Sequence, residues 1–197
     1  MSNFYAMISR MKYIERWALM HNTRRENISE HSLDVSILTH ALAVIGNTRC
    51  NKCLNAERAA LIGLYHDASE IITGDMPTPI KYSSEEMKNL FHNVEATASK
   101  RMLSMLPEDM QEAYKGIFFK QEEDAYLWKL MKAADKLSAY IKCLEELAGG
   151  NQEFSSAKNS LYSALMKMKE ELPELAIFME EFLPAYGKNL DELQTID

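Results

Sequence analysis

Apolar residues recur along most of this chain every three or four positions. The clearest run, Leu127, Leu130, Met131, Ala134, Leu137, Ile141, Leu144 and Ala148, predicts one long helix over about 122–148. Gly149 and Gly150 follow it as a terminator. The same reading predicts helices over about 3–14, about 30–46 with Ser29 as N-cap, about 55–66, 67–73, 84–105 and 107–117. About two more follow before a frayed acidic tail. Alternating β-branched positions are scarce, while Leu, Met, Ala, Glu and Lys fill the periodic stretches. The expected fold class is therefore all-α, a compact helical bundle. Gly74 stops the 67–73 helix, and the following segment, through Pro77 and Pro79 to Lys81, is expected to be a loop. Each proline lacks an N–H and restricts the residue before it.

Composition narrows this picture. A chain of 197 residues, 47% hydrophobic and without a glycine-rich or proline-rich tract, internal repeat or linker, predicts one domain over 1–197. The net charge of -7 and pI near 5.3 argue against binding to nucleic-acid polymers or anionic membranes. A small anionic substrate still fits, because a metal and one or two arginines can reverse the sign locally. The N-terminal residues lack the features of a secretory signal, and no stretch approaches the roughly 20 apolar residues of a membrane span, so a cytoplasmic protein is expected. Of the three cysteines, Cys143 lies in the long helix and reads as a small hydrophobe. Cys50 and Cys53 form a C-x-x-C with no further zinc ligands and no thioredoxin-like context, and read as a loop.

The candidate chemistry lies in four residues. His31 stands in Ser29-Glu30-His31-Ser32, His66 and Asp67 are adjacent, and Asp135 follows far downstream in Ala133-Ala134-Asp135-Lys136. Two imidazoles and two carboxylates suit a divalent transition metal and leave positions free for water and a phosphate oxygen, as in a metal-dependent phosphohydrolase. Adjacent residues on a helix point roughly 100° apart, so His66 and Asp67 reach one ion only where the helix ends or bends. Glu70, one turn beyond Asp67, is the candidate general acid or base. Arg16 and Trp17, at the end of the first predicted helix, combine a bidentate phosphate partner with a flat face for a sugar, and Lys81 adds a second positive charge. Each has an ordinary alternative. Arg16 can pair with Glu15 or Glu30 on the surface, Trp17 can be core, Glu70 can be a solvated helix residue, and Asp135, at the margin of its stripe, can point inward or outward. His21, His40 and His92 lack matching partners and read as structural.

The wider motifs carry a resemblance. The stretches Arg24-x-Glu26-Asn27-Ile28-Ser29-Glu30-His31-Ser32, Leu64 to Glu70, Thr73 to Tyr82, Ala134 to Tyr140 and Lys142 to Gly150 resemble the HD-domain phosphohydrolases. The similarity is closest to the bacterial 5'-deoxynucleotidases of the YfbR type and covers nearly the whole chain. It implies a helical bundle of the HD-domain type. It also implies hydrolysis of deoxyribonucleoside 5'-monophosphates with a divalent ion such as cobalt, manganese or copper, and a homodimer. The resemblance places the metal at His31, His66, Asp67 and Asp135, phosphate and sugar at Arg16 and Trp17, proton transfer at Glu70, and the sugar at Asp75, where it favours deoxyribose. Two departures stand out: Lys120-Gln121-Glu122-Glu123-Asp124 aligns poorly with the family's acidic loop before the long helix, and the Cys50–Cys53 loop is not a family feature.

Two other functions are weighed beside this one. An HD phosphohydrolase for a more highly charged nucleotide or another phosphate ester would call for more cations near the motifs than Arg16, Arg24, Arg25 and Lys81. A non-catalytic metal-binding module that senses nucleotides would be marked by loss of Glu70 or a ligand, and all are present.

Overall fold

The helix that carries His31 starts at Asn27 rather than at the expected Ser29. Asn27 accepts a hydrogen bond from the Glu30 backbone N–H at 3.1 Å, and Glu30 reaches back to the Asn27 N–H at 3.2 Å. This reciprocal box satisfies two otherwise orphaned donors and leaves Ser29 inside the helix. The computed structural model describes residues 1–81 and 83–195; Tyr82, which closes one of the motifs above, and residues 196–197 lie outside the described residues.

The described chain is predominantly helical, with helices α1 (Phe4–Ile8), α2 (Ile28–Arg49), α3 (Ala56–Tyr65), α4 (Glu70–Thr73), α5 (Thr78–Lys81) and α6 (Glu85–Ser104). These are followed by α7 (Glu108–Phe118), α8 (Ala125–Ala148), α9 (Ser155–Met168), α10 (Pro173–Glu181) and α11 (Leu190–Gln194). Among the described residues no strand forms beyond an isolated antiparallel bridge between Glu15 and Asn27. None of their helices is long and apolar enough to cross a membrane.

Several local expectations are corrected. The first predicted helix splits into α1 and a 3-10 turn, Ser9–Tyr13, so Arg16 and Trp17 lie beyond it, in the bend that follows the Glu15–Asn27 bridge. The predicted 67–73 helix is a set of turns over Asp67–Ser69 followed by the single turn α4. The expected proline loop contains α5: Ile80 and Lys81 both donate to the Pro77 carbonyl, at 2.9 and 3.1 Å. Pro79 sits in the first turn, where its missing N–H is not needed. The long helix begins at Ala125 rather than about 122, and its stripe ends before Ala148, which is exposed. The acidic tail, expected to be frayed, starts with α11, whose Asn189 and Glu192 repeat the reciprocal box.

The core forms where α2, α3, α8, α9 and α10 meet, with Val35, Leu42, Ile62, Leu130, Leu137, Leu165 and Leu175 all fully buried. Each such side chain contributes about 1.5–3 kcal/mol by leaving water. Gly63 lets α3 approach α2 closely: a Cβ there would lie 2.8 Å from Ser36 Cα and 2.9 Å from the Val35 carbonyl. That approach brings the two histidine-bearing segments together.

A buried ion pair, Lys142–Glu146 on α8, fastens the segment between the 3-10 turn and α2. Glu146 is 1% exposed and accepts from Thr23 N at 2.9 Å, Thr23 Oγ1 at 2.6 Å, Arg24 N at 3.2 Å and Asn151 Nδ2 at 2.8 Å. The Lys142 ammonium also donates to the Arg24 carbonyl. In the acidic segment before α8, Asp124 is buried and accepts from Arg58 Nε and Nη2 at 3.0 and 2.9 Å, tying α3 to α8, while Glu122 and Glu123 are exposed. Asn47 on α2 closes the cysteine loop by bonding both the N–H and the carbonyl of Leu54. Cys143 is buried, as expected of a small hydrophobe.

Candidate active site

His31, on the second turn of α2, is fully buried, and its ring is held from both sides. Nδ1 lies 3.0 Å from Ser138 Oγ, while Nε2 lies 3.1 Å from Asp135 Oδ1 and 3.6 Å from Asp67 Oδ2. Asp135 and Ser138 both come from α8, three residues apart and therefore on one face. His66 caps the C-terminal end of α3, and its Nδ1 donates to the Gly63 carbonyl at 2.7 Å, which leaves the Nε2 lone pair free. Nε2 is buried without a hydrogen-bond partner among the described residues and lies 3.1 Å from Asp67 Oδ2.

These four side chains fit a cation. Donor atoms of His31, His66 and Asp67 lie within 4.8 Å of one another, and among the described residues this is the one group of three or more potential metal ligands. Asp135 adjoins it through His31. A free imidazole lone pair facing a carboxylate oxygen is repulsive unless a proton or a positive ion lies between them, and the donor set suits a divalent transition metal. Helix α3 does end at Tyr65, so the turn over residues 66–69 presents His66 and Asp67 to the same space.

The charges of the site follow from this crowding. Burial, with the Arg16 and His66 charges, lowers His31 to about 4 against the pull of Asp135. Burial opposes charge at His66 too, but Asp67, Asp135 and the Gly63 carbonyl outweigh it and raise its pKa. Burial would raise Asp67, yet His66 and His31 bring it down to about 2. Asp135 is likewise held below the carboxylate range, by the histidines and Arg16 overcoming burial.

Glu70 opens α4 just beyond His66 and Asp67, 6% exposed, with Oε2 buried and unpartnered among the described residues. Burial, reinforced by Asp67 and Asp75, pushes its carboxyl up to about 10 against Arg16 and Lys81, so it holds a proton at neutral pH. Asp75 is half-buried and also raised, by burial and Asp67, while Arg16, a bond from the Trp17 backbone and Lys81 oppose the shift.

Arg16 is nearly buried, and Asp135, Asp67 and Asp75 all act on its charge, which places it beside the ligand cluster. It pairs with Glu26 at 3.1 Å, and not with Glu15 or Glu30, which take Arg25 and Arg24. Trp17 is half-buried against Phe154, ring centroids 5.3 Å apart, and its indole N–H also donates to Glu26, at 3.1 Å. Lys81 acts on Glu70 and Asp75 electrostatically, but its ammonium donates to Glu95 Oε1 on α6.

The structure thus gathers His31, His66, Asp67, Asp135, Glu70, Asp75, Arg16 and Trp17 in one region, with Lys81 at its edge. Three participants had no role in the sequence reading: Glu26, Ser138 and the Gly63 carbonyl. Glu26 and Ser138 both stand inside the quoted motifs, and the i, i+3 spacing of Ser138 from Asp135 was the available signal. Arg24 and Arg25 are largely exposed, with side chains 75% and 80% accessible.

Comparison with known proteins identifies the family. The family model "5'-deoxynucleotidase YfbR-like" matches residues 3–186. A 5'-deoxynucleotidase of Yersinia pseudotuberculosis is 46% identical over 98% of this chain and 97% of its own length, and one from Yersinia pestis matches equally well. Among solved structures, an HD-domain phosphohydrolase from Listeria innocua superposes with a TM-score of 0.82 at 21% identity, over 93% of this chain and 88% of that one. A cyanophage S-2L HD phosphohydrolase bound to dA and one catalytic zinc ion superposes with a TM-score of 0.61 at 22% identity, over 93% and 96%. With the family model covering nearly the full length and close relatives sharing almost half of its residues, this chain belongs to the YfbR-like 5'-deoxynucleotidase family.

Proposed function

We propose that this protein hydrolyses deoxyribonucleoside 5'-monophosphates to deoxynucleoside and phosphate. The observation that carries the reading is the convergence of His31, His66, Asp67 and Asp135 beside the buried Glu70. The names of the 46% identical relatives support the same activity. The four ligands hold one divalent ion, which when bound supplies Lewis acidity and lowers the pKa of water toward neutrality. Cobalt, manganese or copper suits the donor set, and the zinc in the cyanophage protein suits it as well.

Within this site Arg16 binds the phosphate, Trp17 and Asp75 border the sugar, and Glu70 delivers its proton to the leaving 5'-oxygen. Asp75 accepts from the 3'-hydroxyl, and crowding against Trp17 disfavours a 2'-hydroxyl. With Arg24 and Arg25 exposed and engaged by Glu30 and Glu15, and Lys81 engaged by Glu95, the cationic complement fits a monophosphate better than a triphosphate.

Two measurements test this reading. Phosphate release from ribo- and deoxyribonucleoside mono-, di- and triphosphates, with chelated enzyme reconstituted with manganese, cobalt, zinc or magnesium, is expected only from deoxymonophosphates. Equal release from triphosphates would point to the other phosphohydrolase reading, and silence with metal bound to the sensing module. Asp135→Ala is expected to lose metal on dialysis while wild type retains it, as read by elemental analysis; full metal content in the variant removes Asp135 from the ligand set.

The reading also includes a homodimer. It is supported by Leu33, Ile37 and Val44, which form an exposed apolar stripe along α2, 54%, 58% and 38% accessible. Sedimentation equilibrium of the holoenzyme is expected to give twice the monomer mass.

A further inference from the structure

The segment that carries Arg16 and Trp17 is tied to itself by one residue. Glu26 is 9% exposed, and a single carboxylate oxygen, Oε2, accepts both from Arg16 Nη1 and from Trp17 Nε1, each at 3.1 Å. Its backbone carbonyl accepts from the Arg16 N–H at 2.9 Å, and the adjoining Glu15–Asn27 bridge and the Ile28 N–H to Ile14 carbonyl bond zip the two arms together. Trp17 has a φ of +58°, in the left-handed region that a bulky aromatic adopts only when its surroundings impose it. The indole bond to Glu26 and the Phe154 contact hold it there. Arg16 Nε is buried without a partner among the described residues, so the guanidinium keeps a donor in reserve while Glu26 occupies Nη1.

We propose that Glu26 is a positioning residue that joins phosphate and sugar recognition, its one carboxylate oxygen fixing the Arg16 guanidinium and the Trp17 indole as a single preformed unit. The inference rests on the reading of Arg16 and Trp17 as substrate contacts. Glu26 itself touches no reacting atom and acts through these two side chains. An isolated arginine would arrive at the phosphate with its rotamer freedom unspent, and an indole free to turn would no longer press on the 2' position. Neutralising Glu26 therefore weakens substrate capture and blurs sugar discrimination together, leaving the ligand cluster and Glu70 in place.

The test is Glu26→Gln, which keeps the size and one acceptor but removes the charge, with Glu26→Asp as the charge-retaining variant and Arg16→Ala as the reference. For Glu26→Gln, the expected result is a KM for deoxymonophosphates raised on the order of 10-fold with kcat changed only a few-fold. The preference for deoxyribose should fall in parallel, with unchanged metal content. Glu26→Asp, which keeps the charge but draws it back by one methylene, should be intermediate. In an Arg16→Ala background, Glu26→Gln should add little to KM, because the two share one interaction. A lowered melting temperature with KM and sugar preference intact, in either Glu26 variant, would reduce Glu26 to a structural buttress and overturn the proposal. If Arg16→Ala alone leaves KM unchanged, the substrate-contact reading fails and the proposal with it; if Arg16→Ala raises KM while Glu26→Gln does not, the role of Glu26 alone is wrong.

Discussion

Replacing Glu70 by Gln is expected to cut kcat on deoxymonophosphates by a factor on the order of 10²–10⁴ while leaving metal content and substrate KM near wild type. The glutamine keeps the shape of the side chain and a hydrogen-bond donor, so the variant isolates the transferable proton. Glu70 is suited to this task because burial, with the negative charges of Asp67 and Asp75, favours its protonated form. A protonated carboxyl can give its proton to a leaving alkoxide, which would otherwise depart with full negative charge. The sign of the pH effect follows: kcat of the wild type should fall as pH rises and Glu70 ionises, and this alkaline limb should vanish in the variant. A Glu70→Gln enzyme within a few-fold of wild type would remove Glu70 from the mechanism.

Glu146→Ala is expected to destabilise the fold by about 3–5 kcal/mol, because it leaves a buried ammonium without its carboxylate. For a chain of this length that lowers Tm by roughly 6–20 °C. Lys142 keeps the Arg24 carbonyl and the face of the Phe154 ring, but no carboxylate bonded to it, and the N–H groups of Thr23 and Arg24 lose their acceptors together. Burial alone would raise the Glu146 carboxyl, but the bonds from Lys142, Thr23 and Asn151 outweigh it and hold it well below its ordinary 4.5. A depressed folded-state pKa contributes stability that is present above the unfolded value and is lost as pH falls through the folded one. The stability gap between wild type and Glu146→Gln should therefore be constant near neutrality and close below pH about 4.5. Because the clamp also fixes the segment bearing Arg16 and Trp17, KM should rise in the Ala variant. Thermal melts that match wild type at pH 7 would show that the clamp contributes nothing to stability.

The clamp also marks a limit of sequence reading. Lys142 and Glu146 form an i, i+4 pair on α8, which by spacing alone reads as a solvated surface pair. Their burial depends on Thr23 and Arg24, more than a hundred residues away, settling over them. Asp124 behaves similarly: its acidic neighbours suggest a solvated run, but Arg58 from α3 makes it a buried tie between helices. Lys81 was assigned from its charge and its place in a motif, whereas Glu95 on α6, which engages it, is fourteen residues away.

The all-α class, most of the longer helices and the donor types of His31, His66, Asp67 and Asp135 are set by local sequence. Periodicity and the glycines at 74, 149 and 150 act within a turn or two, and the break at His66-Asp67 was already required for two adjacent residues to face one ion. The tertiary structure alone decided which groups share an atom. Glu26 became the common acceptor of Arg16 and Trp17, and Ser138 the brace of His31, 107 residues away, because helix packing set distances that no local pattern encodes. Hydrogen bonds of 3 Å depend on the summed geometry of every element between the partners, while a helix depends only on its own turns.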